Sequence, residues 1–431
     1  MQRTRTTRGR GSPGRKEPAG EDPIPVGPAH GGSIDGAAAV VEAFRTHFHR
    51  PPEIVVRAPG RVALLGAHVD YSDGWVMPAA IERAVWLAAS LNRHSLGPNS
   101  LDLRALDLGE GARLDLDSLP PPIPNRQGVG DLRWSDYPAG VAWALRRERP
   151  SLPGLDVVYG GDLPRGAGVS SSAAVEMAFV LAWRTLADLD LDPLACARLC
   201  QRVENGYLGL GSGLMDPFAS LHGRRGHLVL LDCRSCRHEL LPLPEDAVIL
   251  VADSGIRRRL VASGFNDRRA QCRRAVELLH PQLAETGRDV KALRDVTPRD
   301  LELHGHLLEP ELLKRARHAV EEMGRVRAAA DALRGGDLAA FGEAMNRSHA
   351  SSRDLYEVSV PELDALCEAA ASVDGCWGAR LMGGGFGGCV AILARASAQD
   401  EVRGRVADAF EGDFGRRPEM FVTRPADGAS V

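Results

Sequence analysis

A two-domain α+β fold is what this 431-residue sequence predicts, and three observations carry the prediction. Strand-like and helix-like runs are mixed without the regular alternation that builds a doubly wound parallel sheet. The chain is long enough, with 44% apolar residues, to fill two cores rather than one. Near residue 225 the texture changes: a glycine-rich half with a long Ala-rich helix gives way to strands followed by charged amphipathic helices.

The chain opens on "MQRTRTTRGRGSPGRK", which holds six Lys/Arg and no acid. Such a segment has too little apolar surface to order itself, so residues 1–35 read as a solvated basic tail rather than a transit peptide or an RNA-binding arm. It has no apolar run of the secretory type. Helical spacing then appears in "GAAAVVEAFRTHFHR" (36–50), followed by strand-like "EIVVRAPG", "RVALLGA" and "AVWLAASLNR". "SDYPAGVAWALRRE" reads as a helix capped by Ser135 or Asp136. Strand "LDVVYGG", a helix over 171–189 and a helix over 192–209 complete a first domain, 36–220. In the second domain, 221–431, "GHLVLLD" and "DAVILVAD" are strands and 312–333 is a long helix. Strand "GGCVAILA", a helix at 397–411 and strand "EMFVTR" close the chain, and no internal repeat appears.

Bulk properties exclude several classes. A formal charge of −4 argues against a dedicated nucleic-acid binder, and no apolar stretch is long enough to span a bilayer. Eight scattered cysteines fit reduced thiols, which sets the expected location in the cytoplasm. Cys233 and Cys236 form a lone CxxC with no partner pair at zinc-ligand spacing.

Chemistry concentrates in glycine-rich stretches. In "GDLPRGAGVSSSAAVEMAF" (161–179), Gly166 and Gly168 allow close backbone approach, and Ser170, Ser171 and Ser172 lead into a strong helix. The helix start offers free N–H groups and a positive dipole end, both suited to phosphate. The GK[ST] ending of a Walker A loop is missing, and a Gly/Ser turn alone is equally a plain helix cap. A second cluster, "ARLMGGGFGGCVAIL" (379–393), contains Gly384 and Gly385. "ENGYLGLGSGLMDPFAS" (204–220) sets Glu204 on a helix and Asp216 beyond a glycine turn.

Together with "APGRVALLGAHVDYSDG", these segments resemble the GHMP small-molecule kinases, in particular their galactokinase branch. "SSRDLYEVSVPELDAL" (351–366) and "GFNDRRAQC" (264–272) point the same way, and the resemblance covers residues 50–395 in order. It implies a two-domain GHMP kinase fold with ATP, Mg2+ and a sugar in the cleft between domains, and neither nucleic acid nor membrane as partner. By motif match, Asp216 is the base beside the sugar hydroxyl, and Arg61 balances it and the transferred phosphoryl. Ser172 and Glu204 match magnesium ligands, with Gly166, Gly168, Ser170–Ser172, Gly384 and Gly385 around the nucleotide. His68, Asp70 and Gly213 match sugar contacts.

One residue departs from the pattern. The branch usually reads G-E-H-x-D-Y, and here the stretch is "GAHVDY", with Ala67 in place of the acid that meets the C6 end of the sugar. Phe265 stands where galactokinases typically have tyrosine. Both changes resemble galacturonokinases, since losing an acid removes repulsion from a C6 carboxylate. The expectation is therefore a sugar-1-kinase for D-galacturonate or another C6-modified sugar, with galactose as the alternative. A non-catalytic sugar sensor is disfavoured, because the base, the arginine and the metal ligands are all present.

Overall fold

The computed structural model describes residues 36–92, 99–125, 132–256 and 261–431, the side chains of 125 and 261–263 left aside. The basic tail expected at 1–35 lies outside these described residues.

The first unit wraps helices on one large sheet. α1 (Gly36–Phe48) turns Val40, Phe44 and Phe48 onto Ala88 and Val158 of the sheet. What reads as two short runs is one strand, β1 (Ile54–Leu65), because Pro59 and Gly60 fall at a register shift against β2 (Trp75–Leu91). A bulge there tolerates the missing proline donor that a regular ladder would not. β3 (Ser100–Ala105), β4 (Glu110–Asp115), α2 (Asp136–Arg146) and β5 (Leu155–Gly161) follow. α2 lacks the expected side-chain cap at Ser135; Asp136 instead accepts from the N–H of Arg133 at 2.8 Å. α3 (Ser171–Leu186) buries its Ala-rich face, α4 (Pro193–Arg202) is capped by Asp192, and α5 (Met215–His222) is short.

β6 (His227–Asp232) and β7 (His238–Pro242) then extend the same sheet, whose order is β4-β3-β5-β2-β6-β7 with β1 along β2. Only the β3–β5 pair is parallel. The first sheet thus runs on to Pro242, and the link after it leads into the second sheet. The change of texture near 225 marks a hairpin whose partner, β2, lies about 150 residues earlier, which local pattern cannot reveal.

The second unit holds β8 (Ala247–Asp253), α6 (Val261–Ala284), α7 (Pro298–His304), α8 (Pro310–Arg334), α9 (Leu338–Asp354) and α10 (Pro361–Ala371). β9 (Cys376–Leu381), β10 (Cys389–Arg395), α11 (Gln399–Phe414) and β11 (Glu419–Thr423) complete an antiparallel sheet, β11-β8-β10-β9. β8 is buried on both faces, as its unbroken apolar run requires. Ala247, Ile249 and Val251 enter a core shared with the first unit, and Val248, Leu250 and Ala252 enter the core under the C-terminal helices. The chain end returns to the first sheet, where Ala426 donates to the carbonyl of Ala80 at 2.9 Å. The units are therefore docked through apolar packing and not merely tethered.

Candidate active site

β1 carries Arg61 into the interior, where it is 3% exposed. Its Nε and Nη2 donate to Oδ1 and Oδ2 of Asp216, both at 2.8 Å, the fork-to-fork pairing that fixes both partners. Nη1 donates to the carbonyl of Gly168 at 2.6 Å, so one guanidinium ties the loop after β5 to the first turn of α5. The same loop is stitched to β1 by the Arg61 N–H on the carbonyl of Val169 at 3.1 Å. Gly166 and Gly168 both take the left-handed conformation that this tight turn needs.

Ser170 joins the same cluster, its hydroxyl donating to Asp216 Oδ2 at 2.5 Å and so bracing the carboxylate. The residue pays for this with φ 60°, a left-handed backbone uncommon outside glycine. Ser171 opens α3, and Ser172 follows with its Oγ 3.4 Å from Glu204 Oε1.

Glu204 was expected on a helix continuing to 209. The structure instead leaves α-geometry after Arg202 and runs as a π-turn over Val203–Leu208, closed by Gly209 in the left-handed region. That widened turn brings the carboxylate to Ser172, and such turns concentrate at functional sites. Burial, and then the charge of Asp216, push the Glu204 carboxyl up to about 7. One helical turn beyond Ser172, Glu176 is fully buried with neither carboxyl oxygen hydrogen-bonded. Burial and the nearby Glu204 raise its pKa as well. Buried, under-neutralised hard oxygens suit a divalent cation such as Mg2+. Among the described residues no three His, Cys, Asp or Glu side chains form a metal cluster by themselves, so such an ion would draw its remaining oxygens from a ligand.

The opposite wall is built by the loop after β1. Asp70 lies beside Gly213 so closely that a Cβ there would sit 2.0 Å from Asp70 Oδ2, which explains the glycine by contact alone. Burial and Asp216 push the Asp70 carboxyl up to about 6. His68, at φ 55°, meets the Tyr71 hydroxyl through Nδ1 at 2.8 Å, and Tyr71 in turn meets Tyr356 at 2.8 Å. Phe265, on α6, packs its ring 5.3 Å from the rings of both His68 and Tyr71. Ala67 is buried next to them.

The second glycine loop reaches this wall from behind. Gly385 is left-handed, and a Cβ on it would press to 2.3 Å from the carbonyl of Val358; Gly384 beside it is buried. The ring of Phe386 lies under Gly264, one residue from Phe265. Arg61, Asp216, Ser170, Ser172 and Glu204 thus form one cluster, and Asp70 and Gly213 adjoin it. His68, Phe265, Ala67 and the second glycine loop form the other flank.

Sequence reasoning missed Glu176, Tyr356, His318 and Glu322. The last two lie on α8, fully buried. The signal was present as Arg315, His318 and Glu322, three polar residues at spacings of three and four on the stripe that also carries Ala319 and Met323. For Glu176 the signal was a single acid inside an Ala-rich apolar helix.

Comparisons with known proteins bear on this geometry. Residues 42–91 match the galactokinase galactose-binding signature, 136–224 the N-terminal domain of GHMP kinases, and 329–412 their C-terminal domain. The galactokinase of Roseiflexus sp. (strain RS-1) is 40% identical over 387 residues, covering 90% of this chain and 95% of the relative. The galactokinase of Chloroflexus aurantiacus is 39% identical, covering 90% and 96%. The crystal structure of Lactococcus lactis galactokinase complexed with galactose superposes with a TM-score of 0.82 at 31% identity, covering 91% of this chain and 99% of that one. A mevalonate kinase structure, at 16% identity and a TM-score of 0.59, shares the fold alone. Among the described residues no helix is long and apolar enough to cross a membrane. The chain belongs to the galactokinase family of GHMP sugar kinases.

Proposed function

We propose that the protein transfers the terminal phosphoryl group of ATP to the C1 hydroxyl of D-galactose. The observation that carries this reading is the Arg61–Asp216 pair beside Asp70. Three donors already reach the Asp216 carboxylate: two from Arg61 and one from Ser170. A carboxylate offers about four lone-pair sites, so one remains, on Oδ1, for a substrate hydroxyl. The carboxylate is 27% exposed, open on one side only.

In the reaction this implies, Asp70 accepts hydrogen bonds from neighbouring sugar hydroxyls and Asp216 Oδ1 accepts one from the C1 hydroxyl. A bond forms from that oxygen to the γ-phosphorus as the bond to the β–γ bridging oxygen breaks. The hydroxyl proton passes to Asp216, and ADP leaves with the bridging oxygen. Arg61 offsets charge on the transferred group, and positioning of this kind is most of what phosphoryl transfer asks of a protein. Ser172 and Glu204 would hold a magnesium ion, whose charge would offset that of the phosphate oxygens. Gly166, Gly168, Gly384 and Gly385 admit the nucleotide closely.

Galactose is favoured over galacturonate by the comparisons: the relatives are galactokinases, and the structure solved with galactose matches nearly the full chain. The specific observation for galacturonate is the apolar pair Ala67 and Phe265. Sugar-dependent ADP release decides between them. Galactose should win in kcat/KM by about a hundredfold, roughly 3 kcal/mol; a preference for galacturonate overturns the assignment.

A further inference from the structure

The loop that carries His68 and Asp70 is gripped by the other domain. Glu322 Oε1, from α8, accepts from the backbone N–H of Gly66 at 2.9 Å and of Ala67 at 3.0 Å. The carbonyl of the same Ala67 lies 3.1 Å from His318 Nε2, one turn earlier on α8. A carbonyl only accepts, so Nε2 carries the proton, and Nδ1 accepts from the Ser351 hydroxyl at 2.9 Å. Ser351 can make that donation because its oxygen takes a bond from Arg325 Nη2 at 3.0 Å. Arg325 Nε also fills Glu322 Oε2 at 2.8 Å, and the Ser348 hydroxyl adds a third donor to Oε1 at 2.7 Å.

Every acceptor and donor in this buried set has a partner, and the whole set converges on the backbone of Gly66 and Ala67. Both polar groups of Ala67 are fixed, one by a carboxylate and one by an imidazole. The next residue, His68, sits in the left-handed region, a conformation that persists only where its surroundings impose it. Asp70 follows two residues later. A single helix of the second unit therefore sets the height and twist of the loop on which the sugar contacts stand.

We propose that Glu322 and His318 are positioning residues for the sugar, holding the backbone of Gly66 and Ala67 so that His68 and Asp70 present a fixed surface to the cleft. This rests on the reading of that loop as the sugar-binding one. It also gives the family-pattern gap at Ala67 a different meaning. The small side chain leaves the site short of one carboxylate, but the loop keeps its shape because a carboxylate on α8 holds its backbone.

The test compares KM for the sugar with KM for ATP in H318A, H318Q, E322A and E322Q, using whichever of galactose or galacturonate the wild type turns over. KM does not depend on the fraction of molecules that fold, so partial misfolding does not mimic the effect. H318A and E322A should raise the sugar KM at least tenfold and leave the ATP KM within twofold. H318Q, whose amide can donate in place of Nε2–H, should return to within about threefold of wild type, and E322Q, which keeps an oxygen toward Gly66 and Ala67, should fall between. V406A, a cavity on α11, which carries no residue of this set, should lower Tm without changing the sugar KM. A sugar KM within twofold of wild type in H318A, with only Tm reduced, overturns the proposal. Should E322A fail to accumulate, the H318A and H318Q pair decides alone. Wild-type sugar preference tests the proposed function, and the ratio of variant to wild type tests this inference.

Discussion

Two buried glutamates about the cleft have opposite fates. Glu322 receives two backbone N–H groups, a serine hydroxyl and an arginine, and despite full burial Arg325 and Arg380 hold its carboxyl down to about 2. Glu204 meets two serine hydroxyls, Ser172 at 3.4 Å and Ser212, and burial beside Asp216 pushes it up to about 7. The difference lies in the number of donors, not in depth. A satisfied carboxylate is a finished structural part, while an under-satisfied one marks where the protein leaves room for a ligand. Glu176, with no hydrogen-bond partner among the described residues, falls on the same side as Glu204.

The sharpest way to break this contrast is at the phosphoryl end. D216N keeps the shape but removes the remaining basic lone pair, and kcat should fall by about a thousandfold or more in a steady-state ADP assay, with sugar affinity by calorimetry nearly intact. Next in size, G213A drives a methyl into the space held by Asp70 Oδ2, and the sugar KM should rise about a hundredfold while ATP KM holds, a loss equal to one displaced charge-assisted contact. E204Q should raise the Mg2+ concentration for half-maximal activity about tenfold.

E204Q also probes stability, with a definite sign. A carboxyl raised to about 7 in the folded chain keeps its proton where the unfolded one has lost it, so its favourable contribution is full below about 4.5 and is lost as pH rises through 7. Tm of the wild type should therefore drop relative to E204Q between pH 5 and pH 8, and equal slopes would contradict the shift. Smaller still is the acid limb of activity. Asp70, raised to about 6, becomes protonated below that pH and accepts fewer hydrogen bonds, so kcat/KM for the sugar should decline as pH falls through 6.

Much of the fold was legible because burial imposes periodicity. β8 stands out as an unbroken apolar run, and α8 shows its stripe. The cleft motifs were legible because close approach demands glycine and serine at fixed places, as at Gly213. What escaped has a common cause: it depends on partners remote in sequence. Glu322 reaches a loop 255 residues away, and β6 joins a strand whose identity its own pattern cannot specify. The π-turn at Glu204 escaped because its residues suit an α-helix equally well. The bond from the Ser170 hydroxyl to Asp216, 46 residues away, was equally out of reach of local pattern.

The most direct test of the account is phosphorus NMR on the product of purified protein, ATP and Mg2+ incubated separately with D-galactose and D-galacturonate. The account predicts a galactose-dependent phosphate resonance coupled to the anomeric proton, with far slower turnover of galacturonate. Phosphate on another hydroxyl, or product from galacturonate alone, would contradict it.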